Sequence, residues 1–105
     1  MVAEVSQANF DQEVLKSSQP VLVDFWAPWC APCRAVAPVV EAVAKEYDGR
    51  LKVVKCNTDD NPDIAASYHI TGIPNLIIFK AGQVADQIVG FVPQPVLSQK
   101  VKAHL

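Results

Sequence analysis

Apolar and polar positions along this chain keep two rhythms in turn, one strand-like and one helix-like, with short connections and no repeat, low-complexity tract or linker between them. Phe10, Val14 and Leu15 share one face of a helix predicted from Asn9 to about Ser17, with Asn9 as its expected cap and Asp11 and Glu13 at the positive end of its dipole. Pro20 then leads into Val21-Leu22-Val23-Asp24-Phe25-Trp26, a run too apolar on both sides for a half-exposed strand. It predicts a central strand in which Asp24 is the anomaly. From Cys33 to Tyr47, the residues Val36, Val39, Val40 and Val43 recur at helical intervals, and Asp48-Gly49 closes this main helix. Pro38 inside it predicts a bend. Leu51 to Cys56 reads as a second strand, Asn61 to Tyr68 as a short helix started near Pro62, and Asn75 to Phe79 as a third buried strand. Ala81-Gly82 turns the chain into Gln83 to Val89, a hairpin partner, and Val96, Leu97, Val101 and Leu105 mark a terminal helix. The order is βαβαβαββα. Strands separated by helices are expected to run parallel with right-handed crossovers and the last hairpin antiparallel, which gives an α/β protein with a central mixed β-sheet flanked by helices.

The 105 residues suffice for one domain, 1–105, and half of them are apolar while 19% are charged, a balance that suits a buried core and argues against disorder. A net charge of -2 offers nothing to nucleic acid or to anionic lipid, so proteins or small molecules are the expected partners. The longest apolar runs, such as Leu76 to Phe79, fall far short of the roughly 20 residues of a membrane helix. Met1-Val2-Ala3-Glu4-Val5 lacks the basic and apolar stretches of a secretory signal, and no membrane address is expected.

Chemistry concentrates in Cys30-Ala31-Pro32-Cys33, where a buried strand hands over to a helix. The first sulfur is expected at the helix N-terminus and the second about one turn inside, close enough to close a disulfide. A Cys30 thiolate there would meet unsatisfied backbone N–H donors and the positive end of the helix dipole, which lower a thiol pKa and produce a nucleophile. Cys33, more enclosed, would then resolve the mixed disulfide. Pro32 suits the first helical turn, where its missing N–H costs no hydrogen bond. Neither central residue is a cation that would overstabilise the thiolate, so the bias is toward a reductant. The competing interpretation is half of a zinc site. Zinc needs four ligands, and Cys56, His69 and His104 form no second paired knuckle. Two cysteines in a tight pair and one left over also differ from a secreted disulfide framework, which favours a reducing compartment.

The stretch Val23-Asp24-Phe25-Trp26-Ala27-Pro28-Trp29-Cys30-Ala31-Pro32-Cys33-Arg34 closely resembles the active-site signature of the thioredoxin family, and the likeness continues through Pro38, Lys55, Gly72-Ile73-Pro74 and Val89-Gly90, over nearly the whole chain. The resemblance implies the thioredoxin fold and reduction of disulfides in target proteins by Cys30 and Cys33. It implies no metal and no organic cofactor beyond the reversible Cys30–Cys33 bridge. Asp24 matches the family's buried acid, which exchanges a proton with the resolving cysteine, and Lys55 the basic residue near it; desolvation should raise the carboxyl pKa and the lysine partly oppose this. A buried structural Asp24–Lys55 pair is the alternative. Pro74 matches the family's cis-proline, facing the dithiol. Trp29, Ala31, Pro32, Ile73, Pro74, Val89, Gly90 and Phe91 would surround the sulfurs as an apolar docking surface, although Ile73, Val89 and Phe91 could equally be core. Three residues depart from the family pattern: Ala31 replaces the usual glycine, Asn75 the usual threonine, and Phe91 a small residue. Cys56 reads as a small interior hydrophobe, with a regulatory disulfide as the alternative. His69 and His104 read as solvated or packed.

The partners implied are protein disulfides and a thioredoxin reductase, either a flavin enzyme using NADPH or a ferredoxin-linked one, acting on a monomer. The expected location is cytoplasmic, or a plastid if a transit peptide has been removed. A rival function is a binding subunit of a larger assembly whose redox chemistry is incidental. An oxidase or isomerase is a third, disfavoured by the missing signal and by the Ala-Pro dipeptide.

Overall fold

Val21–Trp26, expected to be buried on both faces, forms the middle strand of a five-stranded sheet in a computed structural model that describes residues 2–105. Strand β1 is Ala3–Glu4, β2 is Val21–Trp26, β3 is Lys52–Asn57, β4 is Asn75–Lys80 and β5 is Gln83–Val89. They lie in the order β1-β3-β2-β4-β5. Helices α1 (Ala31–Glu46), α2 (Pro62–Ser67) and α3 (Gln94–Lys102) complete the sequence of elements, together with a single π-helical turn at Asp11–Leu15.

The sheet parts two cores because successive side chains of β2 point to opposite faces. Leu22, with Val53, Leu76 and Ile78, packs beneath Val36, Val40, Val43 and Ala44 of α1 and Leu97 and Val101 of α3. Val21, Val23 and Phe25, with Val54, Cys56, Ile77 and Phe79, pack against Phe10, Val14 and Ile64 on the other face. There Phe10, Phe79 and Tyr68 meet ring edge to ring face, with centroids 5.2 to 5.8 Å apart for the two edge contacts. Asp24 shares its face with Leu22, the face that α1 and α3 cover.

Several expectations fail. Strand β4 runs antiparallel to β2, although helices intervene, so only β1, β3 and β2 are parallel. Six-residue α2 rises about 9 Å, less than half the length of the strand it would have to retrace, and β4 therefore starts from the end of the sheet at which β3 finished. The first helix shrinks to one π turn, closed by the Lys16 N–H on the Asp11 carbonyl at 2.9 Å. Asn9 does not cap it: its Oδ1 accepts the Ser6 N–H at 2.8 Å, because the Asn9 and Phe10 N–H groups have folded back onto the Ser6 carbonyl. The main helix begins two residues earlier than its apolar rhythm indicates and continues through Pro38. Ala81 and Gly82, both at positive φ, make the two-residue turn whose twist joins β4 to β5.

Candidate active site at the start of the main helix

Strand β2 ends at Trp26 and α1 begins at Ala31, so the four residues between them set the reactive sulfurs at the helix's positive end. Cys30 is the N-cap residue. Its backbone is extended, with φ -90° and ψ 109°, and its Sγ accepts the Cys33 N–H at 3.2 Å, which answers one of the orphan donors of the first turn. Pro32 stands in that turn, where no N–H is required. The Cα atoms of Cys30 and Cys33 are 5.2 Å apart and their sulfurs are joined in a disulfide. Both residues are buried, packed with Ala27 and against Trp26 and Ile73. The loop is tied from below by Arg34, whose Nη1 donates to the Pro28 carbonyl at 2.9 Å.

A second segment faces the sulfurs. The Ile73–Pro74 peptide is cis, and the Ile73 carbonyl oxygen lies 3.7 Å from Cys30 Sγ. The Pro74 carbonyl accepts the Gly90 N–H at 2.7 Å, with Gly90 at φ +93°, a conformation that suits glycine. Around these, Trp29, Val89 and Phe91 are more than half exposed, so the last two are surface and not core. Ala31 and Pro32 are exposed, Ile73 and Gly90 are half-buried, and Pro74 is buried.

Asp24 and Lys55 are directly opposite one another in the parallel β2–β3 pair. Asp24 is 4% exposed and its Oδ1 has no hydrogen-bond partner among the described residues. Burial pushes its carboxyl up to about 7, with Lys55 pulling it down and Glu4 pushing it further up. The lysine does not reach it as an ion pair: Lys55 Nζ sits 5.3 Å from the centroid of the Trp26 ring. Cys56, in the opposite core, is fully buried, and burial raises its thiol to about 11, which keeps it protonated. The residues weighed as zinc ligands are scattered. His69 is exposed at positive φ and His104 Nε2 pairs with Asp86 Oδ2 at 3.0 Å. Among the described residues no group of three or more His, Cys, Asp or Glu side chains could hold a metal ion.

Asp59 was not anticipated. Its Oδ2 accepts the Trp29 indole N–H at 3.0 Å and so orients the most exposed aromatic of the site, while Asn57 Oδ1 holds the Asp59 N–H at 2.9 Å. The signal was available in Asn57-Thr58-Asp59-Asp60, a polar run leaving the carboxyl end of a parallel strand, where α/β sheets gather their functional groups.

A sulfur pair that closes on itself at a helix N-terminus takes up or gives up two electrons through sulfur alone, and that capacity defines a thiol–disulfide oxidoreductase. The thioredoxin family model matches residues 1–103. The chain is 58% identical over 103 residues to thioredoxin 1 of Nostoc sp., covering 98% of this chain and 96% of that one. It is 56% identical over 105 residues to thioredoxin 1 of Synechococcus elongatus, covering 100% and 98%, and 46% identical over 104 residues to the chloroplastic M-type thioredoxin of Pisum sativum, covering 99% and 60%. The chain belongs to the thioredoxin family and is a disulfide reductase.

Proposed function

We propose that Cys30 is the attacking sulfur and Cys33 the resolving one. The Cys30 thiolate attacks a target disulfide, forms a mixed disulfide and expels one target thiolate. Cys33 then attacks the Cys30 sulfur, the second target thiolate leaves, and the Cys30–Cys33 bridge holds the two electrons' worth of oxidation. The observation that carries this assignment is Cys30 Sγ at the N-cap, accepting the Cys33 N–H, since the same donor and the helix dipole favour a negative charge there. Asp24 takes the proton from Cys33 before its attack; a buried carboxyl at about 7 is matched to that transfer near neutral pH. Lys55 keeps the acid from rising further.

Trp29, Ala31, Pro32, Ile73, Pro74, Val89, Gly90 and Phe91 form the docking surface, supported by the exposure of Trp29, Val89 and Phe91 around the sulfurs. Protein disulfides are the substrates, and no other cofactor takes part. A thioredoxin reductase, NADPH-linked or ferredoxin-linked, returns the electrons to a monomer folded as one domain, 1–105. Cyanobacterial and chloroplast relatives support the cytoplasm or a plastid as the compartment. The experiment is trapping. Cys33→Ser should strand disulfide-bearing proteins on Cys30 as mixed disulfides released by dithiothreitol, and Cys30→Ser should trap none. Equal capture by both variants would refute the assignment of roles.

A further inference from the structure

The cross-strand register continues past the pair already described. Asp24 lies opposite Lys55 in β2–β3, and Lys55 lies opposite Glu4 in β3–β1, so three charged side chains stand in one row on one face of the sheet. The row runs from the middle of the sheet to its edge. Asp24 is buried, Lys55 half-buried and Glu4 exposed, and Glu4 opens into a cleft of about 460 Å³ lined also by Val5, Ser6, Asn57, Asp60 and Asn61. We propose that Glu4 is a positioning residue for the disulfide-reduction reaction, sharing Lys55 with Asp24 and so governing when Asp24 carries charge.

Two effects of the same sign support it. The Glu4 carboxylate repels charge on Asp24 directly, and it competes with Asp24 for the one ammonium that lies between them. Lys55 completes no ion pair with either, because its Nζ rests over the Trp26 ring at 5.3 Å. Other charges near the row are few. Asp60 faces Glu4 from the β3–α2 connection and adds to its repulsion, and the neighbouring Cys56 thiol also feels Glu4. On β4 the residue opposite Asp24 is Leu76, and on α1 the charged residues Arg34, Glu41, Lys45 and Glu46 are all exposed. The Trp26 indole N–H favours the ionised form of Glu4 without reaching hydrogen-bond geometry, and partial burial against the sheet edge raises the Glu4 carboxyl.

The size of the effect follows from the spacing. Two strand separations put Glu4 about 9.6 Å from Asp24. Unit charges at that distance shift a pKa by about 0.3 to 1.3 units as the effective dielectric falls from ~80 to ~20. With Glu4 in contact with water, a shift near the lower end, about 0.5, is expected.

The inference rests on the proton-accepting role given above to Asp24, and the test separates the two. The Asp24 carboxyl carbon is titrated by NMR in the oxidised protein, and the pH profile of insulin reduction is measured beside it. The variants are Glu4→Gln, Glu4→Asp and, as a control for loss of one exposed charge, Glu41→Gln. Glu4→Gln should lower the Asp24 midpoint by about 0.5 pH unit and move the rate profile down with it; Glu4→Asp should restore most of the midpoint, and Glu41→Gln should leave it unchanged. A midpoint that Glu4→Gln leaves in place, or moves no further than Glu41→Gln does, overturns the inference. A midpoint that falls while the rate profile stays put upholds the coupling of Glu4 to Asp24 but removes Asp24 from the proton transfer, and with it overturns the role of Glu4 in the reaction.

Discussion

Asp24 should make the protein markedly less stable above neutral pH than below it, and Asp24→Asn should abolish that dependence. The carboxyl ionises at about 7 in the folded protein against an ordinary value of 3.8. Between those values the native state holds a proton that the unfolded chain has already lost. Unfolding in that window releases a proton, so the stability contributed by this group falls as pH rises through it and levels off above about 7. A displacement of roughly 3 pH units at about 1.4 kcal/mol each amounts to about 4 kcal/mol, a third or more of the total for many small domains. The asparagine amide, buried without a partner, has its own cost of about 1 to 3 kcal/mol, but that offset does not vary with pH. The informative quantity is thus the slope of the difference between variant and wild type. Urea unfolding of the two oxidised proteins at intervals from pH 3.5 to 8.5 measures it, and every titrating group not coupled to Asp24 cancels. The variant should gain about 4 kcal/mol relative to wild type across the range, or about 2 M in midpoint for a slope near 2 kcal/mol/M. Parallel stability curves would show that Asp24 is not desolvated as its burial and its unpartnered Oδ1 require.

The same variant bears on catalysis: with no proton acceptor for Cys33, Asp24→Asn should reduce insulin at pH 7 at least about tenfold more slowly while its circular dichroism is unchanged. Leu22→Ala, at a position with no exposed surface between β2 and the helices α1 and α3, should lower stability by about 2 to 5 kcal/mol in urea titrations. The active-site sulfurs lie outside that cluster, so its insulin-reduction rate should hold wherever the variant remains folded.

Much of this fold was legible because β2 and β4 are so apolar. Val21–Phe25 and Asn75–Phe79 have both faces covered, and a continuous apolar run bounded by Pro20 or Pro74 announces such a strand without any alternation. The direction of β4 was not legible. It depends on how far a six-residue helix carries the chain, a length the periodicity of Asn61–Tyr68 overstates. The false cap at Asn9 has a related cause, since a side chain that can bond the first turn can equally bond the turn before it, and only the path of Ser6–Asn9 decides. At the site, the sulfurs and their helix were legible from the three-residue separation of Cys30 and Cys33. Asp24 stood out because a carboxylate in a central strand has no local reason to be there. The polar run after β3 pointed to the neighbourhood of Asp59 but not to its partner, since Asp59 meets Trp29 across 30 residues of sequence, and the role of Glu4 was hidden because it reaches the acid through the β1–β3 register.

That register bears on why a destabilising carboxylate is useful at Asp24. Had Lys55 closed an ion pair with it, the acid would ionise far below neutral pH and could not take up a proton from a thiol. Had no lysine been near, desolvation alone would hold it protonated at neutral pH and it could not act as a base. The cation lies one strand away, drawn over the Trp26 ring and faced on its far side by Glu4, and this intermediate placement leaves the carboxyl at about 7. Moving Lys55 toward or away from Asp24 by any means, substitution at Trp26 included, should therefore shift the same midpoint that Glu4 controls.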